Sequence, residues 1–172
     1  MISRDLTRIK VCAFDVDGVL SRITVALDDD GIPRRTANIR DGYAIQHAMK
    51  CGLAIAVITG ARIEAIGTRY RMMGVEDIWL GAGDKTAAFE ELCLRHDIHP
   101  DEVLYMGDDI PDYKVMTRCG VPCCPVDAAP EIKAISAYIS PYPGGDGCVR
   151  DVIEQVLKAQ GKWMNDDSAF GW

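Results

Sequence analysis

The chain has 172 residues and a formal net charge of −7, from 19 Lys and Arg against 26 Asp and Glu. With 48% hydrophobic and 26% charged residues it has the make-up of one folded domain able to bury a core of its own. The acidic balance argues against a nucleic-acid partner, which needs concentrated Lys and Arg, but it leaves room for a small anionic substrate in a cleft with local cations. Seven Cys, an odd number without a Cys-x-x-Cys pair, and three His fit neither a disulfide framework nor a zinc site. Signal-peptide form is missing at the N-terminus, and no apolar run reaches the ~18 residues of a membrane span. The expectation is a cytoplasmic protein with reduced cysteines and no membrane partner.

Taken in chain order, residues 9–14 read as a short apolar strand. The segments "ITVAL" (23–27) and "RRTANI" (34–39) flank the turn "DDDG" and read as a β-hairpin flap spanning about 21–40. Residues 42–52 have helical spacing and end at Gly52, a C-terminal stop. "LAIAVIT" (53–59) is apolar on both faces, the pattern of a parallel strand covered on both sides. A helix at 61–74, a strand at 75–81 and a helix at 84–98 follow. "EVLYMGDD" (102–109) is a strand running into acids, and 111–120 is a short helix with Pro111 in its first turn. "VPCCPV" (121–126) is a strand bounded by Pro, expected towards an edge; a helix at 128–137 and a very short strand at 138–140 follow it. A glycine-rich turn then leads into a last helix within 144–161. Strands alternating with helices specify an α/β domain with a doubly wound, mostly parallel sheet, in which ligands bind beyond the strand C-termini. The domain is expected to span 1–160. The tail 161–172 carries Trp163, Phe170 and Trp172, costly to leave in water, and reads as a contact with a neighbouring subunit.

Acids gather where two strands end. Asp15 and Asp17 follow the first strand, and "GDDIPD" places Asp108, Asp109 and Asp112 after another. The first pair alone suits a solvated turn, a metal site, or a nucleophile with its acid–base partner. If the two strands are parallel neighbours the acids converge. Their mutual repulsion then calls for a cation, and hard oxygen ligands in a small site favour Mg²⁺. Two further strand ends carry complementary chemistry. Thr59 and the Gly60 amide in "AVITGAR" offer a hydroxyl and an N–H to an anion, with a helix N-terminus following, and Lys85 in "GAGDKT" opens a helix.

In combination "DVDGV", Thr59, Lys85 and "GDDIPD" resemble the four motifs of the haloacid-dehalogenase superfamily of phosphohydrolases. "RTANIRDGYAIQ" and "GGDGCVRDVIEQVL" narrow the resemblance to the sugar-acid phosphatases without a large cap domain, the 3-deoxy-D-manno-octulosonate 8-phosphate (Kdo8P) phosphatase family. The resemblance implies that Asp15 attacks phosphorus and forms an aspartyl-phosphate. It implies that Asp17 serves as acid and then base, and that Thr59 and Lys85 stabilise the phosphoryl oxygens. Mg²⁺ would be held by Asp15, the backbone carbonyl of Asp17, and Asp108, with Asp109 and Asp112 behind them. The family's rivals for substrate are phosphates of nine-carbon keto-sugar acids. A rival of another class is a regulatory or assembly domain that kept the fold without activity, a reading disfavoured by the presence of both Asp17 and Lys85.

Only 41 residues separate Asp17 from Thr59 and 25 separate Thr59 from Lys85, too few for a cap domain beside the elements already placed there. The resemblance implies a homotetramer in which hairpins and C-terminal segments close neighbouring sites. Substrate contacts are expected from Gly60 and, for a carboxylate, from Arg40, Arg62 and Arg150, because a guanidinium matches a carboxylate bidentately. Arg34 and Arg35 read as surface or subunit contacts. Gly144, Gly145 and Gly147 read as an anion-facing turn or a flexible lead into the last helix. The sequence departs from the family at Ser21-Arg22-Ile23, where relatives carry Thr, Asp and Gly. It departs again at Ala61, where a larger polar side chain is common, and at Asp146, in place of a basic residue. None of these removes a catalytic group, and Ala61 leaves eight-carbon and nine-carbon substrates both open.

Overall fold

A computed structural model of the chain describes residues 1–165 and 167–171; Trp172, one of the three tail aromatics, lies outside them. Six parallel strands form one sheet in the order β3-β2-β1-β4-β5-β6: β1 Val11–Phe14, β2 Ala54–Ile58, β3 Asp77–Trp79, β4 Val103–Met106, β5 Val121–Cys124 and β6 Tyr138–Ile139. Among the described residues six α-helices connect or follow them: α1 Ile39–Lys50, α2 Glu64–Arg71, α3 Lys85–His96, α4 Tyr113–Met116, α5 Pro130–Ile135 and α6 Cys148–Ala159. This is the doubly wound arrangement expected from the alternation of elements.

Side-chain alternation along the strands builds two cores. Cys12, Phe14, Ile55, Val57, Leu104 and Met106 face one side, where α1, α2 and α6 pack. Val11, Ala13, Ala56, Ile58, Val103 and Tyr105 face the other, under α3, α4 and α5. Because both faces are covered, the central strands are buried along their length except at Ala54, the first residue of β2, which explains their unbroken apolar runs. The strand order reverses at β1 and β4, whose registers pair Phe14 with Met106, so the residues after both emerge side by side at one crevice.

Two parts differ from the expectation. The flap forms one antiparallel bridge, Leu27 to Pro33, instead of two full strands. Asp28 N–H donates to the Ile32 carbonyl at 2.9 Å and Arg34 N–H to the Ala26 carbonyl at 2.8 Å, and the ladder ends there. A two-stranded ribbon with nothing behind it has no apolar face to bury, and Ile23 and Leu27 are 58% and 63% exposed. Second, "ANI" does not finish a strand: Asn38 caps α1, its side-chain oxygen accepting from the N–H groups of Arg40 and Asp41. Beyond these, the tail packs on α1 of its own chain. Trp163 packs edge-on against the Tyr43 and His47 rings, the Tyr43 hydroxyl donates to the Ala169 carbonyl, and Lys50 Nζ donates to the Gly171 carbonyl at 3.0 Å. Of the two outward aromatics on described residues, Trp163 is half-buried while Phe170 stays 73% exposed.

Candidate active site

Asp15 leaves β1 with its N–H on the Met106 carbonyl, 3.1 Å away, which ties the start of the first acidic loop to the last residue of β4. Asp15, Asp108 and Asp112 are buried and offer carboxylate oxygens lying within 4.8 Å of one another. Lys85, the first residue of α3, sits between two of them. Its Nζ is 2.9 Å from Asp15 Oδ1 and 2.7 Å from Asp112 Oδ1. Asp112 is fully engaged by the protein: Oδ1 also accepts the Tyr105 hydroxyl at 2.7 Å, and Oδ2 accepts the Asp108 N–H at 3.2 Å. Asp109, by contrast, is exposed, and its backbone carbonyl, not its side chain, bonds Asp112. The two acids read alike from the sequence therefore stand in different places.

The glycines make this crowding possible. Gly18 has φ +82°, and a Cβ there would lie 2.0 Å from Asp108 Oδ2. At Gly107 a Cβ would lie 2.4 Å from the Asp112 Cβ. Burial, together with the repulsion of Asp112, raises the Asp15 carboxyl to about 7 despite Lys85. Burial and the carboxylates of Asp15, Asp112 and Asp109 raise Asp108 to about 8. For the Lys85 ammonium, burial alone would act downward, and Asp15 and Asp112 more than offset it, leaving it above its ordinary value. A site with more negative groups than one lysine neutralises has room for a further cation. Its donors are hard oxygens, the set that suits Mg²⁺.

Asp17 stands apart from this cluster. Its carboxylate is half exposed and turns to the flap, where Arg35 Nε and Nη2 each donate to one oxygen at 2.8 Å. The surface role expected for Arg35 thus gives way to a contact set by chain geometry. The neighbouring Thr36 N–H donates to Ser21 Oγ at 2.9 Å, which pins the returning arm of the flap to the turn after Asp17. Thr59 is buried, its hydroxyl oxygen accepting the Ala61 N–H at 3.1 Å, so its proton is free for another acceptor. Gly60 is exposed beside it, and α2 begins only at Glu64, further along than a helix following directly on Gly60.

The arginines expected to meet a carboxylate are distributed differently. Arg40 and Arg150 line an open cleft of about 1000 Å³ between the base of the flap and α6, and none of Asp15, Asp17, Asp108, Asp109, Asp112, Thr59 or Lys85 lines it. The Arg150 guanidinium lies over the Tyr43 and Trp163 rings, held by the folded-back tail. Arg62 is exposed, its stem against Gly81. The amides of the glycine run are taken within the chain: Gly145 N–H donates to the Val19 carbonyl at 2.7 Å, bracing the loop after β1, and Gly144 N–H donates to the Asp127 carboxylate, Oδ1, at 3.0 Å. Two departures from the family pattern prove to be one interaction: Arg22 and Asp146 pair at 2.9 Å, the charges exchanged relative to an acid at 22 and a base at 146. Tyr105 and Arg35 were missed in the sequence. A tyrosine inside a core strand, whose hydroxyl needs a partner, was the available signal for the first.

A family model described as haloacid dehalogenase-like hydrolase matches residues 74–152. The 3-deoxy-D-manno-octulosonate 8-phosphate phosphatase of Escherichia coli is 34% identical over 154 residues, covering 90% of this chain and 82% of the relative. The chain belongs to the haloacid-dehalogenase-like hydrolases. Its fold is that of the family's capless members, and it is a phosphatase. A solved structure of the Moraxella catarrhalis 3-deoxy-D-manno-octulosonate 8-phosphate phosphatase, in complex with magnesium, phosphate and a KDO molecule, superposes with a TM-score of 0.90 at 30% identity, covering 97% of this chain and 96% of that one. The cobalt-bound phosphatase from Haemophilus influenzae also gives 0.90, at 27% identity, covering 97% and 99%. The buried acids at the crevice of this chain, a set of hard oxygen donors, suit an ion of that kind.

Proposed function

We propose that this phosphatase releases phosphate from 3-deoxy-D-manno-octulosonate 8-phosphate through an aspartyl-phosphate on Asp15. The observation that carries the reading is the division of the acids: Asp15 and Asp112 share Lys85 in a buried cluster, while Asp17 keeps its carboxylate outside it. A nucleophile must be held still and a proton carrier must reach the leaving group, and these two aspartates have those two environments.

Lys85 fixes one oxygen of Asp15 and leaves the other for in-line attack on phosphorus. As the bond to the sugar oxygen breaks, Asp17 delivers its proton to that oxygen. In the second step Asp17 takes a proton from the water that attacks the aspartyl-phosphate, and phosphate leaves with Asp15 regenerated. The Thr59 hydroxyl, the Gly60 N–H and the Lys85 ammonium stabilise the phosphoryl oxygens as charge moves. Asp15, Asp108 and the Asp17 backbone carbonyl would hold Mg²⁺, with Asp112 behind them. When bound, the ion offsets the repulsion between the acids and a phosphate dianion.

A phosphate-release screen with Mg²⁺ over Kdo8P, nine-carbon keto-acid 9-phosphates and ordinary sugar phosphates tests the reading. Release from Kdo8P ahead of the others is expected; equal turnover of hexose phosphates refutes the sugar-acid assignment. We also propose a homotetramer in the cytoplasm. Ile23, Leu27 and Ile32 on the flap are 58%, 63% and 39% exposed, which supports their burial between subunits. No helix among the described residues is long and apolar enough to cross a membrane. Sedimentation showing monomer alone at working concentration would refute the tetramer.

A further inference from the structure

Arg35 and Asp17 form the most complete fork in the molecule, and it joins the flap to the one acid that must move protons. Nε–Oδ1 and Nη2–Oδ2 are both 2.8 Å. The arginine side chain is only 15% exposed, although it comes from an otherwise exposed flap. It is not there by the chance of a long side chain. Arg22 N–H donates to Thr36 Oγ1 at 3.0 Å and Thr36 N–H to the buried Ser21 Oγ at 2.9 Å. Ser21 N–H in turn donates to the Val16 carbonyl at 2.8 Å, inside the Asp15–Asp17 loop. The backbone that carries Arg35 is therefore hung from the loop that carries Asp17.

This arrangement conflicts with turnover. Both Asp17 oxygens accept from the guanidinium, which holds the carboxylate toward the flap, so it cannot turn to the departing sugar oxygen until Arg35 lets go. The other cation of the crevice, Lys85, is locked between Asp15 and Asp112. Arg35 has a single ion pair among the described residues, and that pair is with Asp17. A partner able to take the guanidinium from a carboxylate at little loss is another carboxylate, which presents the same planar pair of acceptors.

We propose that Arg35 is a specificity-determining, positioning residue that exchanges carboxylates: the substrate's own carboxylate takes the guanidinium and thereby frees Asp17 for the leaving oxygen. The inference rests on the sugar-acid reading above and deepens it. A sugar phosphate without a carboxylate leaves Asp17 latched and is turned over slowly even when bound. Selectivity then lies in kcat more than in KM, because the acid group of the substrate assembles the acid–base geometry in addition to binding.

The test measures kcat and KM for Kdo8P and for arabinose 5-phosphate, which lacks a carboxylate, in the wild type, Arg35→Gln and Arg35→Lys. Thermal melting of each variant checks the fold. In Arg35→Gln, kcat/KM for Kdo8P is expected to fall by about tenfold or more, the loss typical of a bidentate charged contact. The kcat for arabinose 5-phosphate is expected to rise in the same variant, because Asp17 is released. Arg35→Lys keeps the charge without the fork and is expected to stay well below the wild type on Kdo8P. An unchanged ratio of the two substrates in Arg35→Gln, or an arabinose 5-phosphate kcat that does not rise, overturns the proposal. A wild type without any preference for Kdo8P strikes the sugar-acid reading instead, and the arabinose 5-phosphate rate of Arg35→Gln still decides whether the latch exists.

Discussion

Replacing Gly18 by alanine should disable the acid cluster without altering any acid. Gly18 has φ +82°, and its new Cβ would lie 2.0 Å from Asp108 Oδ2 and 2.3 Å from Asp108 Cγ. Ordinary contacts between such atoms are about 3.5 Å, so the Asp108 carboxylate must swing away by more than ~1 Å. The left-handed backbone adds about 1–2 kcal/mol for any residue with a Cβ. The collision itself is cheap for the fold, because the obstacle is a side-chain end and its departure relieves the repulsion from Asp15 and Asp112 that raises Asp108. Gly31→Ala is the matched control: φ is +77° and nothing lies within 4 Å of the added Cβ. Urea denaturation without metal should therefore show similar losses for the two variants. Mg²⁺ titration calorimetry should show about tenfold or greater weakening for Gly18→Ala and none for Gly31→Ala. A Gly18→Ala protein that binds Mg²⁺ as the wild type does would refute the placement of Asp108 in the cation site.

Asp15→Asn should abolish turnover, whereas Asp17→Asn should abolish turnover but bind Mg²⁺ almost normally by calorimetry, since only its backbone carbonyl serves the ion; strong metal loss in Asp17→Asn would contradict that division. Carboxyls raised to about 7 and about 8 at Asp15 and Asp108 mean that the metal-free native state binds protons more tightly than the unfolded chain. Their contribution to stability is full below the ordinary carboxyl range and is lost as pH rises through 7 to 8, so the increase in melting temperature on adding Mg²⁺ should be larger near pH 8 than near pH 6. Equal increments at the two pH values would count against an acid-only site. Tyr105→Phe removes the hydroxyl that Asp112 Oδ1 shares with Lys85 and should cost about 1 kcal/mol in denaturation, with a lower kcat and a KM close to that of the wild type.

Much of this molecule could be read from the chain because its fold is written in local patterns. Strands such as "LAIAVI" are apolar on both faces because helices cover both, and each is separated from the next by a segment of helical spacing. The acids at 15, 17, 108, 109 and 112 could be brought together on paper because parallel neighbours end at the same edge. What stayed hidden depends on contacts between segments distant in sequence. Asp109 and Asp112 look alike in "GDDIPD", yet only a turn of 3₁₀ helix at Ile110–Asp112 carries one of them inward to Lys85 and Tyr105. Arg34 and Arg35 are equally basic, and which one reaches Asp17 is set by Thr36 finding Ser21. The strand pattern of "RRTANI" lost to a capping asparagine that starts α1 at Ile39. The glycine run offered free amides to the eye, but Val19 and Asp127 had already taken two of them.

The Arg22–Asp146 pair bears on how such a chain diverges from its relatives. Its partners are 58% and 38% exposed, where an ion pair contributes about 0–1 kcal/mol and two like charges cost little more. A lineage could therefore reverse the charge at one of these positions, persist through the mismatched intermediate, and reverse the other later. The order of the two replacements would be free, and neither would need to be simultaneous. A chimera made by grafting the glycine loop of a relative with a base at 146 onto this chain would recreate that intermediate, with two cations facing each other beside the flap, and it should still fold.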